Sequence, residues 1–301
     1  MPPPPMKPPV PLVKPPTSTS PGKPAAQAAR QVKTFSVAPF TGAGEGEKVV
    51  IYGKTGNGKT TLAAQLPDAV FLALDDGGRK IIDPVTHKAV NSVPGIATFE
   101  DLRDALHQSN LFPDKGTIVI DTLTKTEEIM EPYIFQHCPL KSGKATSMRA
   151  YGWDGPAHLL DCMRLILTDL DTHVRQGRNV VLLCQQAQVR VPNSEGMDYL
   201  EDGPKLQHNN QYSNRAEVCE WADHVLRIGY QDFEVRTDSD KAKAGKVVSD
   251  MTRAIFTGGA AHYVAKSRPI DGLRLPSVVS FATPEDQSLW LYMFHGALKN
   301  Q

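Results

Sequence analysis

The chain has 301 residues, enough for one large domain or two small ones, and its 40% hydrophobic content supports a real core. Its 33 basic and 33 acidic residues cancel, so global charge gives no support for nucleic-acid binding and any such surface must be a local patch. No apolar run reaches the roughly 18 residues of a membrane span, and no signal-peptide core is visible. The scattered Cys138, Cys162, Cys184 and Cys219 read as buried reduced thiols of a cytoplasmic protein.

Residues 1–46 hold half of the prolines, with Lys7, Lys14, Lys23, Arg30 and Lys33 against Glu45 alone. Such a segment buries too little apolar surface to offset its ordering entropy, so it reads as a disordered, basic, partly polyproline-II arm. A docking role toward a partner domain is the sharper alternative for it. Residues 47–301 are expected to form the folded domain.

Lys48–Tyr52 reads as a buried strand, and Thr60–Leu66 as the first turns of a helix stopped by Pro67. Between them Gly53-Lys54-Thr55-Gly56-Asn57-Gly58-Lys59-Thr60 fits G-x-x-x-x-G-K-[ST], the P-loop, with Thr61 next in line. Its glycines let successive amides turn inward, where they and the positive end of the helix bind a polyanion. Lys59 can reach the β- and γ-phosphates of ATP, and the Thr60 hydroxyl can ligate Mg²⁺.

A second buried strand, Ala69–Leu74, ends in Asp75 and Asp76. Carboxylates at a strand tip beside a phosphate site suit a general base for the attacking water, with Asp76 preferred and Asp75 the alternative. A helix opens at Thr98 with a capping-box-like Thr98…Asp101. The strand Thr117–Asp121 closes on a carboxylate suited to hold Mg²⁺ through its water shell. Helices follow over about 125–137 and 155–176, the second stopped by Gly177. The strand Asn179–Cys184 ends in Gln185-Gln186, amides placed to sense the γ-phosphate. Strand-like pieces come at 222–228, 233–236, 254–256 and 262–264, and Thr283-Pro284 is expected to start a terminal helix through Leu298.

Two loops interleave cations and rings in a pattern that can neutralise phosphates and stack bases of single-stranded DNA. The first, 139–154, carries Lys141, Lys144, Arg149, Tyr151 and Trp153. The second, 187–215, carries Arg190, Lys205 and Arg215 with Tyr199 and Tyr212, but also Glu195, Asp198, Glu201 and Asp202. Alternating strands and helices imply an α/β fold, a mostly parallel central sheet flanked by helices, with ligands at the carboxyl ends of the strands.

The order P-loop, acidic tip 75–76, Ile120-Asp121-Thr122 and Gln185-Gln186 resembles the RecA/RadA-type ATPase core. Leu74-Asp75-Asp76-Gly77-Gly78, Tyr151-Gly152-Trp153 and Glu220-Trp221-Ala222-Asp223 look closest to phage-encoded, RecA-like single-strand annealing ATPases, over about residues 47–276. That resemblance implies a RecA-like P-loop fold and an Mg²⁺-dependent ATPase acting on single-stranded DNA. It matches Asp76 to the catalytic glutamate position, about one methylene shorter, and Gln186 to the switch glutamine. Ala265-Lys266-Ser267-Arg268-Pro269 resembles a lysine–arginine finger, with serine where asparagine is usual, and a finger implies a homo-oligomer with sites between subunits. The alternative of another class is a nucleotide-gated replication or packaging accessory protein that recruits a partner through its arm.

Overall fold

The computed structural model describes residues 36–37, 44–74, 80–141, 143–193, 196–231, 233–236, 246–249, 251–270 and 272–294. Most of the 1–46 arm, the Asp75–Asp76 tip and the chain beyond 294 lie outside them. The folded unit is already packed at Gly46, whose N–H donates to the Val174 carbonyl.

β1 (Lys48–Gly53) leads through the P-loop into α1 (Lys59–Ala64). β2 (Ala69–Ala73) and the short β3 (Asn91–Val93) follow. α2 (Phe99–His107) carries the full capping box at Thr98 and Asp101. β4 (Thr117–Asp121) turns directly into α3 (Leu123–His137), where the Thr122 hydroxyl accepts from the Lys125 N–H. α3 thus begins two residues before the sequence expectation, because Thr122 is the cap. α4 (Gly155–Arg175) ends as expected, with Gly177 at φ 84° beyond its last turn.

β5 (Asn179–Val191) is much longer than the expected strand, and β6 (Tyr199–Pro204) pairs back on it from Gln186↔Pro204 to Val191↔Tyr199. The expected long loop 187–215 is therefore a β-hairpin followed by a turn and by α5 (Asn214–Trp221). The alternation Ala187, Val189, Val191 against Gln188, Arg190 is the strand pattern behind it. β7 (His224–Tyr230) starts two residues later than the strand expected at 222. β8 (Phe233–Arg236) and β9 (Lys246–Ser249) form a separate antiparallel ribbon. β10 (Arg253–Phe256), the two-residue β11 (Lys266–Ser267) and β12 (Val278–Ser280) complete the strands. At 262–264 there is no strand, only single bridges through Tyr263. The last helix, α6 (Ser288–Met293), begins later than Thr283.

The main sheet runs β12-β10-β7-β1-β5-β4-β2-β3. β7, β1, β5, β4, β2 and β3 are parallel, and β10 and β12 add an antiparallel edge. β5 thus separates the P-loop strand from the Asp121 strand. Side-chain alternation covers both faces. Val50, Tyr52, Leu182 and Ile120 pack under α2, α3 and α4. Ile51, Leu183, Val119 and Phe71 pack under α1 and α6. Trp290 of α6 is fully buried there and donates from Nε1 to the Leu62 carbonyl. Each such buried side chain contributes about 1.5–3 kcal/mol relative to exposure. This is the expected RecA-like P-loop architecture. No helix among the described residues is long and apolar enough to cross a membrane.

Candidate nucleotide site

β1 stops at Gly53 because the loop must turn there, and a Cβ at Gly53 would lie 2.6 Å from the Ile228 carbonyl oxygen of the neighbouring strand. Gly56 and Gly58 have φ of 84° and 93°, the left-handed backbone that side chains disfavour. The loop is braced from the β7 side. Asn57 Nδ2 donates to the Ile228 carbonyl at 3.1 Å, and Arg253 Nη1 donates to the Asn57 carbonyl at 3.3 Å. The Arg253 guanidinium in turn stacks 4.8 Å from the Phe281 ring centroid.

Lys59 is buried, 7% exposed. Its Nζ donates to the Gly53 and Lys54 carbonyls at 3.0 and 3.1 Å and reaches Gln185 Oε1 at 3.4 Å. Burial lowers its pKa, partly offset by the Asp121 carboxylate. One residue on, the Thr60 hydroxyl donates to Asp121 Oδ2 at 3.0 Å. Asp121 is buried at the carboxyl end of β4, followed by a cis peptide bond to Thr122. A hydroxyl and a carboxylate this close, beside a cradle of glycine amides, fit a hydrated Mg²⁺ on a bound phosphate chain. Lys54, Thr55 and Gly56 form the exposed lip of the cradle, and Thr61 is half-buried in the first turn of α1.

Gln185, not Gln186, faces this cradle. Gln185 Oε1 accepts from the Thr55 hydroxyl at 3.1 Å as well as from Lys59. In a strand, neighbours point to opposite faces, so Gln185 shares the α1 face with Val181 and Leu183. Gln186 lies on the other face. It borders a cavity of about 500 Å³ that is also lined by Lys54 and Asn57 of the P-loop and by Gln188, Asp202 and Arg227. Of the two amides expected to sense the γ-phosphate, Gln185 is the one hydrogen-bonded to Lys59 and Thr55, and Gln186 makes neither contact. Sequence reasoning missed Thr124, whose hydroxyl accepts from the Gln185 N–H and donates to the Lys205 carbonyl, tying β5 to the start of α3.

Lys266 and Arg268 stand far from their own P-loop. β11 pairs with the start of β7, Ser267 opposite His224, while His224 is opposite Val49 at the start of β1. Gly53 lies four residues further, about 13 Å along the strand. Arg268 is exposed and pairs with Asp223 at 2.7 Å. The pair cannot reach the cradle of its own chain.

The expected DNA residues divide. Tyr151 is buried, and its hydroxyl donates to the Cys138 and Ile134 carbonyls at 2.9 and 3.2 Å, so its ring belongs to the core and not to a base stack. Arg215 is buried, bonds Glu201 at 2.6 Å and packs on Gly203, which removes it from a DNA surface. Arg190 is exposed on the hairpin but pairs with Asp198 at 2.8 Å. Lys141, Lys144, Arg149, Lys205 and Trp153 are exposed. Asp76, the expected water-orienting base, and Asp75 lie outside the described residues.

A sequence-family model described as an AAA domain matches residues 45–269. No curated protein matches the chain. Among solved structures, a KaiC-like protein from the hyperthermophilic archaeon Pyrococcus horikoshii OT3 is 12% identical. The match covers 79% of this chain and 90% of that one, with a TM-score of 0.35.

Proposed function

The chain belongs to this AAA-domain family, and from that premise we propose that it is an Mg²⁺-dependent ATP hydrolase that acts on single-stranded DNA in recombination or annealing. The carrying observation is the meeting of Lys59, Thr60, Asp121 and Gln185 at one glycine-lined turn. The loop amides and Lys59 bind the phosphates of ATP. Lys59 exchanges its carbonyl partners for phosphate oxygens, and its ammonium is already desolvated where a polyanion can pair with it. Thr60 and Asp121 hold Mg²⁺, which when bound neutralises charge on the phosphate chain. Asp76, which follows β2 in sequence, orients the water for in-line attack. Lys266 and Arg268 of a neighbouring copy stabilise the charge that grows on the transferring group, so the working form is a homo-oligomer.

For DNA, the supporting observation is continuity. The β5–β6 hairpin springs from the strand end whose Gln185 touches Lys59, so the nucleotide bears directly on the hairpin's base. Met197 and Leu200 stand exposed on that hairpin, 90% and 56%. A second reading, a nucleotide-gated accessory protein that captures a partner through the 1–46 arm, draws support from the pairing of Arg190 and Arg215 and the burial of Tyr151.

ATP hydrolysis measured with and without single-stranded DNA separates the two. Turnover that rises severalfold with DNA supports the first. Nucleotide-dependent partner capture, with no DNA binding, contradicts it in favour of the second.

A further inference from the structure

Three side chains meet beneath β11 with no part in the P-loop chemistry. His224, the first residue of β7, is fully buried. Its Nδ1 lies 2.7 Å from the Ser267 hydroxyl and its Nε2 lies 3.1 Å from a Glu47 carboxylate oxygen. In the neutral ring Nε2–H donates to the carboxylate, which only accepts, and Nδ1 accepts from the serine hydroxyl, whose oxygen also lies 3.4 Å from the Arg268 carbonyl oxygen. Both ring nitrogens are thus satisfied, the condition for burying an imidazole without penalty. Glu47 is itself fixed, its N–H donating to Asn179 Oδ1 at 2.9 Å. The serine uses Nδ1, the reverse of a hydrolase relay, where it faces Nε2.

Ser267 sits between the two cations. Arg268 is tied twice to Asp223, by its N–H to the carbonyl at 3.2 Å and by Nη1 to the carboxylate. The other oxygen of that carboxylate accepts from the Lys48 N–H at 3.2 Å. Lys266 Nζ donates to the Glu220 carbonyl at 3.2 Å. Partial burial and the Arg268 charge lower the Lys266 pKa. β11 is only two residues long, so the ladder alone fixes its direction poorly and side-chain anchors must do the rest.

We propose that Glu47, His224 and Ser267 form a positioning clamp that aims Lys266 and Arg268 at the nucleotide of a neighbouring copy. The clamp rests on the reading of those two cations as a finger acting between subunits. It also joins the finger to the start of β1, the strand whose far end carries the P-loop.

Steady-state ATP hydrolysis by the full chain tests this with His224→Ala, Ser267→Ala and Arg268→Ala, each alone and mixed with Lys59→Ala protein. Loss of aim acts on the transition state, so kcat is expected to fall about tenfold in His224→Ala and Ser267→Ala with KM within about twofold. Mixing with Lys59→Ala, which keeps an intact clamp and finger, restores much of that loss. His224→Asn, whose amide reaches the Ser267 hydroxyl, recovers more activity than His224→Ala. If thermal melting shows that His224→Ala does not fold, Ser267→Ala decides, because it removes a single oxygen at the surface side of the clamp. Wild-type kcat in Ser267→Ala alongside an inactive Arg268→Ala overturns the clamp and spares the finger. Full turnover in Arg268→Ala overturns the finger, and the clamp with it. A loss that mixing does not relieve overturns positioning between subunits.

Discussion

Lys59 holds its ammonium against two backbone carbonyls and one amide oxygen, a desolvated charge with only partial compensation. A triphosphate supplies what is missing, so Lys59→Ala is expected to lower ATP turnover by at least about a hundredfold, read by phosphate release. Gln185 and Gln186 differ only in parity along β5, yet Gln185 bonds Lys59 and Thr55 while Gln186 lines the neighbouring cavity beside Lys54 and Asn57. Gln185→Ala is therefore expected to uncouple DNA stimulation from turnover, while Gln186→Ala leaves turnover near wild type. Equal losses in both would contradict the assignment. Gly58 combines a positive φ with a Cβ position 2.8 Å from Arg253 and 3.0 Å from Phe281. Gly58→Ala is expected to cost about 1–3 kcal/mol by denaturant unfolding and to weaken nucleotide binding as well.

At the scale of elements, what sequence reasoning reached and what it missed have physical causes. The P-loop, the Asp121 strand and the α2 capping box are local signals, each written in a few adjacent residues. The cradle's braces are not local: Arg253 reaches Asn57 across nearly two hundred residues, and no pattern at either end announces it. The β5–β6 hairpin did carry a signal, the alternation 187–191, masked by the many polar residues that mark a loop. Tyr151 and Arg215 looked like DNA ligands by composition alone, because a ring or a guanidinium reads the same whether buried or exposed. Glu127 of α3 illustrates another silent contact. It accepts from the Gln207 N–H at 2.9 and 3.0 Å and from Asn214 Nδ2, and burial raises its pKa against those hydrogen bonds. A carboxyl raised in the folded state favours folding below its unfolded pKa, and that contribution is lost as pH rises through the folded value. Glu127→Gln is expected to flatten the fall in melting temperature as pH rises above the ordinary glutamate range. An unchanged slope would contradict the raised value.

For the whole molecule, the sheet separates two functions by its length. The cradle lies at the carboxyl end of β1, while Lys266 and Arg268 lie at its amino end. The proposed finger, acting between copies, would therefore complete the cradle of a neighbouring chain and not its own. Removal of residues 1–43 spares the Gly46 contact with α4 and is expected to leave ATP turnover unchanged. If the arm recruits a partner, only that capture is lost. The proposed activity is hydrolysis of ATP with Mg²⁺ at the glycine-lined turn of Lys59, Thr60 and Asp121. Phosphate release by wild type, Lys59→Ala and Asp121→Asn, with and without a chelator, tests it most directly. Turnover is expected in the wild type alone, abolished by the chelator; turnover in Lys59→Ala equal to wild type would rule that site out.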